Sequence, residues 1–187
     1  LNVCEKALEG EYLFFSHWYG KLGWPPDFNY DPVNDIRWDV GKHWVDGPDS
    51  LAGKADIKLV WEASRFSLAY YFARACARDG DEKWAQAFWT MFEVWVEQNP
   101  PEHSAAWRCG QEMTFRLMAM LTAAITMLPS PATTSERLYA LTRLVWQIGR
   151  HISVNINVGL MQENNHGISE AVGLLTAGLL FPEFRES

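Results

Sequence analysis

Cysteine is scarce: Cys4, Cys76 and Cys109 are the only three, and no two are spaced as C-x-x-C. An odd, scattered set argues against a disulfide framework or a zinc site and leaves buried thiols as the reading. Long apolar runs are missing too. The longest charge-free apolar stretches, Leu117–Leu128 and Ala171–Phe181, fall short of the roughly 20 residues of a bilayer span. There is no basic excess. Sixteen Lys and Arg against 23 Asp and Glu give a net charge of −7, which argues against nucleic acid or an anionic membrane as partner. An anionic polymer would need a locally basic groove. No G-x-S-x-G elbow, Cys–His neighbour, Gly-rich phosphate loop or H-E-x-x-H occurs, so no nucleophile, nucleotide or zinc signature is present. No metal or cofactor is expected. No secretory signal is visible, but the chain begins at Leu1 rather than Met, as in an excised piece, so that absence carries no weight. Sustained strand alternation is also lacking.

What the chain does have is tryptophan, ten in 187 residues, and enough length for one domain with a substantial core. Residues 18–54 carry Trp18, Trp24, Trp38 and Trp44 among Pro, Asp and Gly turns. That segment is expected to be long and irregular, packed by its own side chains or functional. With an N-terminal helix it makes a first unit, 1–55, lying on a second, 56–187, of helical hairpins. From Asp56, a plausible N-cap, one helix is expected through Leu59, Ala63, Phe66, Tyr70, Ala73 and Ala77. Trp84, Phe88, Met91 and Trp95 mark the next, ended by Asn99-Pro100-Pro101. Met113, Leu117, Met120, Ala124 and Met127 mark a third. Thr133 with Glu136 reads as a capping box opening a fourth. Asn155-Ile156-Asn157 is expected to loosen the chain before a last helix, Ile168–Leu180. Inner helices apolar on both faces, alternating with amphipathic outer ones, predict an all-α fold: an incomplete (α/α) toroid built of helical hairpins. A closed toroid needs roughly 300 residues, so this chain holds about half of one.

Three clusters carry candidate chemistry. Glu62 and Arg65, next to Trp61, are three apart on one helix face and can pair. Glu112 and Arg116, following Trp107, are four apart on another. Both sets are either structural ion pairs or groove-lining groups, since buried charges must be paired. The third is Asn164-Asn165-His166, with Glu170 one turn on. It is either a helix cap or an amide–imidazole pair able to bind a carboxylate and move a proton near it. Two carboxylates for glycoside hydrolysis, Glu62 and Glu112, remain an alternative, although the adjacent arginines depress the pKa that a general acid needs raised.

In order along the chain, Asp56-Ile57-Lys58-x-x-Trp61-Glu62-x-x-Arg65, Trp95-x-x-x-Asn99-Pro100-Pro101, Trp107-x4-Glu112-x3-Arg116, Asn164-Asn165-His166-x3-Glu170-Ala171 and Gly178-Leu179-Leu180-Phe181-Pro182-Glu183 resemble the heparinase II/III-like polysaccharide lyases. The likeness is to their N-terminal toroid and covers about residues 20–184. It implies β-elimination on a uronic-acid-containing polysaccharide of heparan-, alginate- or capsule-like type, in a bacterial, periplasmic or secreted parent. Asn165 and His166 map onto the position that neutralises the uronate carboxylate. Trp61, Glu62, Arg65, Trp107, Glu112 and Arg116 are the implied substrate-binding set. The family's Tyr and His base, the rest of its toroid and its β-sandwich have no counterpart up to residue 187, so the chain alone is expected to be inactive. Two other readings use the same toroid: a non-catalytic glycan-binding or capsule-assembly protein, and an α/α-barrel hydrolase.

Overall fold

The computed structural model describes residues 2–51 and 53–184. Helix α1 (Asn2–Leu8) leads into a hairpin of β1 (Glu11–Phe14) and β2 (Trp18–Lys21). Two further antiparallel pairs follow, β3 (Tyr30–Asp31) with β4 (Ile36–Arg37) and β5 (Ser50–Leu51) with β6 (Ala55–Asp56). These short pairs were not legible as strands, because two to four residues leave no alternation to read. In β1 the burial does alternate, with Tyr12 and Phe14 inward.

The rest is helical: α2 (Lys58–Ser64), α3 (Ser67–Asp79), α4 (Glu82–Gln98), α5 (Gly110–Thr126), α6 (Ser135–Leu160) and α7 (Asn165–Leu180). The all-α hairpin architecture is as expected. Helix α5 is the hub, packing against α3, α6 and α7, while α3 pairs with α4. It suits that place because Met113, Leu117, Met120 and Ala124 and the residues between them leave almost no polar face. One apolar core runs from Cys4 and Tyr12 to Ile152 and Ala177.

Four local expectations are corrected. The helix expected from Asp56 to Ala77 is two helices, because Phe66 sits at φ 61 between them. A left-handed non-glycine costs roughly 1–2 kcal/mol, and the Phe66 ring repays that by stacking on Phe28 at 5.4 Å in the core. The cap of α6 is Thr134, whose hydroxyl accepts from Arg137 N at 3.3 Å, rather than Thr133. Thr133 is occupied elsewhere, receiving Trp89 Nε1 at 2.9 Å. Asn155-Ile156-Asn157 does not loosen the chain. Asn155 bonds back to His151 O at 2.9 Å and α6 continues to Leu160. Finally, α7 begins at Asn165, three residues early, because Asn164 caps it by accepting from His166 N at 2.9 Å.

The Trp-rich segment is stapled to the end of α4. Gln98 Oε1 accepts from Phe28 N at 2.8 Å and its amide donates to Pro26 O at 3.0 Å. Among the described residues no helix is long and apolar enough to cross a membrane.

Candidate active site

Arg65 ends α2 and joins it to α5. Its Nε and Nη2 donate to both oxygens of Glu112 at 2.6 Å, and Nη1 donates to Glu62 Oε2 at 2.6 Å. Glu62 in turn accepts Phe15 N at 3.0 Å. The bidentate geometry is the strong form of the ion pair, and the bond to Glu112 leads the causes that raise the Arg65 pKa. Glu62 and Glu112 thus share one guanidinium, and both carboxylates are taken up in that clamp.

The expected Glu112–Arg116 pairing along α5 does not form. Arg116 turns inward and is fully buried, giving Nε to Ser64 O at 2.7 Å and Nη2 to Ala106 O at 3.1 Å. Its guanidinium lies 4.3 Å from the Trp95 ring. Burial lowers its pKa to about 9, against the raising effect of Glu112. The reason for the switch is that the end of α2 presents a carbonyl with no helical partner, and Arg116 satisfies it. Trp107 is equally sealed, with Nε1 on Asn99 O at 3.2 Å. Trp61 is only half-buried and anchors its Nε1 on Ala105 O at 2.7 Å.

A cleft of about 660 Å³ opens where the segment around Trp44–Lys58 faces the ends of α5, α6 and α7. Of the eight candidate residues, Trp61 and His166 line it. Asn165 stands exposed in the first turn of α7, next to His166. Glu62, Arg65, Trp107, Glu112 and Arg116 lie outside the cleft wall. His166 does not pair with Glu170. Its Nδ1 lies 3.7 Å from Cys109 Sγ. Burial pushes the Cys109 pKa up to about 11, so the thiol keeps its proton and meets the imidazole in a weak S···N contact. Glu170 is buried in the cleft wall at 4% exposure, and no partner holds its carboxylate among the described residues. Burial raises its pKa.

The cleft is also lined by groups that the sequence reading passed over. Arg108 is braced by Trp44 O, Gly47 O and Asp49, and Lys54 has no carboxylate partner among the described residues. Lys58, which the Asp56-Ile57-Lys58 motif did include, pairs with Asp56 at 3.4 Å. His151 enters from α6, its Nδ1 2.8 Å from Glu102 Oε2. No local motif marks it, since its partner is 49 residues away. The cleft therefore offers two imidazoles, two indoles and three cations, of which Lys58 and Arg108 are paired with Asp56 and Asp49, which is equipment for a polar, ring-shaped ligand.

A heparin-sulfate lyase of Bacteroides stercoris is 27% identical over 207 residues, covering 100% of this chain and 28% of that protein. The crystal structure of heparan sulfate lyase HepC from Pedobacter heparinus superposes with a TM-score of 0.75 at 21% identity, over 99% of this chain and 26% of that one. The fold is thus that of a lyase toroid, and this chain spans about a quarter of either relative. The family described as Heparinase II/III N-terminus matches residues 2–187, and the chain belongs to it.

Proposed function

We propose that this chain is the groove-bearing N-terminal part of a polysaccharide lyase that cleaves a uronic-acid-containing, heparan-type glycan by β-elimination. The observation that carries the reading is His166, standing at the N-terminus of α7 in a cleft that Lys54, Lys58 and Arg108 also line, alongside Asp49, Asp56 and Glu170, in a chain of the heparinase II/III family. Asn165 and the imidazole of His166 hold the uronate carboxylate, and the positive end of the α7 dipole adds to them. Neutralising that carboxylate stabilises the charge that develops when the C5 proton is lost. A base takes that proton, the electron pair forms the C4=C5 double bond, and the C4–O4 bond breaks. O4 leaves with a proton from a general acid. The base and acid, together with further helical hairpins and a β-sandwich, belong to the remainder of a longer protein. The sharing of Arg65 by Glu62 and Glu112 speaks against the hydrolase alternative.

The test uses the longer protein with heparan sulfate, alginate and capsular uronates, following absorbance of the unsaturated product. Asn165→Ala is expected to lower turnover by about 10²–10³-fold, the usual loss for one such donor, with helicity unchanged. Glycan binding without the chromophore would replace the lyase by a non-catalytic binder. Reducing ends without the chromophore would mean hydrolysis.

A further inference from the structure

We propose that His151 is a sugar-recognition residue of the cleft, its Nδ1–H fixed on Glu102 so that the Nε2 lone pair accepts a hydrogen bond from a saccharide hydroxyl. The proposal rests on the polysaccharide reading for the identity of its ligand. The geometry beneath it does not.

Both Glu102 oxygens lie within reach of His151 Nδ1, at 2.8 and 3.0 Å, and Trp44 Nε1 donates to the same carboxylate at 2.7 Å. An ionised carboxylate only accepts, so in the neutral ring the proton sits on Nδ1 and the lone pair on Nε2. The ring cannot swing away. It is packed edge-on to Trp44 at 5.1 Å and tilted against Trp107 at 5.8 Å. His151 lines the cleft, and Nε2 has no partner among the described residues. Nor is it one of the sealed, unpartnered polar atoms of the protein.

The turn that presents Glu102 is held under strain. Glu102 has φ 63 and Ser104 φ 72, both left-handed without being glycine. Lys42 O accepts Ser104 N at 3.1 Å, Glu102 O accepts Trp44 N at 3.0 Å, and Ser104 Oγ donates to Asn99 Oδ1 at 2.8 Å. Strained non-glycine positions persist where surrounding structure over-determines them, commonly at ligand sites. Here the strain places one carboxylate on one imidazole. The outcome is a ring whose lone pair faces the cleft that His166 also lines, suited to a hydroxyl of the same ligand.

The experiment uses the longer protein, with a heparan sulfate octasaccharide as probe. Ring ¹H–¹⁵N correlations of the free protein should show His151 in the Nδ1–H tautomer. Calorimetric titration should show His151→Phe, which keeps a ring between Trp44 and Trp107, binding about tenfold more weakly, the worth of one good hydrogen bond. Glu102→Gln, isosteric in a half-exposed turn, should weaken the fixed tautomer and lower affinity with it. The opposite tautomer, or a folded His151→Phe protein that binds like the parent, would overturn the proposal and leave the polysaccharide reading standing. If the expected tautomer is present but the unmodified protein binds no octasaccharide, the heparan reading fails, and with it the sugar as ligand of His151.

Discussion

Glu170 shows how much at the residue scale is decided by neighbours that no local motif contains. From the sequence it stands one turn from His166 and invites pairing with it. In the fold its carboxylate instead lies between Gly110, which opens α5, and Gly159, near the end of α6. A methyl group on either glycine would come within 2.6 or 2.5 Å of that carboxylate. These glycines are therefore set by close approach and not by backbone conformation. Gly159→Ala is expected to cost about 1–3 kcal/mol by overpacking, read from the denaturation midpoint. Gly149→Ala in the same helix, where the nearest atom is 3.9 Å away, should be neutral or stabilise by about 0.5–1 kcal/mol. Equal effects at the two sites would refute the cradle. Burial also raises the Glu170 pKa, which fixes a sign for pH dependence. The folded chain prefers the neutral acid, so its relative stability is complete below the ordinary value near 4.5. That stability is lost as pH rises through the folded value. Glu170→Gln should therefore raise the melting temperature at pH 7 and leave it unchanged at pH 4. A gain of the same size at both pH values would show that the charge is not what burial opposes.

At the scale of elements, the hydrophobic periods at 84–95 and 113–127 mark α4 and α5 correctly, because both helices bury their stripes in one core. The same kind of period misleads from 59 to 77. The apolar spacing runs on unbroken while the backbone breaks at Phe66, and only the ring stack on Phe28 explains the break. The break has a function in the architecture, since it ends α2 where Arg65 can reach Glu112 across the hub helix. That cross-helix clamp was not legible either: the spacing suggested two separate pairs, whereas the fold gives both acids to one arginine. Removing Arg65 leaves Glu112, at 4% side-chain exposure, as a buried carboxylate without its cation. Arg65→Ala should destabilise the chain by about 2–3 kcal/mol, less than the loss for a fully sealed pair because Arg65 keeps contact with water. The double variant Arg65→Met, Glu112→Leu should recover most of that loss, because it removes both charges from the interface. Chemical denaturation of the three chains decides the matter. A double variant as unstable as Arg65→Ala would mean that packing, and not the stranded charge, sets the cost.

For the whole molecule, the side away from the cleft matters as much as the cleft. The sequence marks Ile168–Phe181 as an almost uncharged helix, apolar nearly all round, which normally means burial on every side. The fold covers only one side, since Gly173 and Ala177 pack inward. Ile168, Leu175 and Leu179 are 73, 61 and 71% exposed, and Val154 on α6 shares a groove with Leu175 and Leu179. That groove, of about 690 Å³, has Leu174, Leu175, Leu179 and Phe184 among its walls. An apolar patch this continuous marks an interface. We propose as its occupant the next helical hairpin of a longer protein, since the relatives are about four times this length. With that surface bare, the 187-residue chain should associate with itself as concentration rises, and sedimentation velocity should show the weight-average mass climbing. Leu175→Glu with Leu179→Glu should hold the chain monomeric without loss of helix content, because neither side chain is buried. In the longer protein the same pair should lower the unfolding temperature, since two charges would then be forced against the following hairpin. A chain that stays monomeric at all concentrations, together with a longer protein indifferent to both charges, would mean that the face is meant for water and that the toroid does not grow from it.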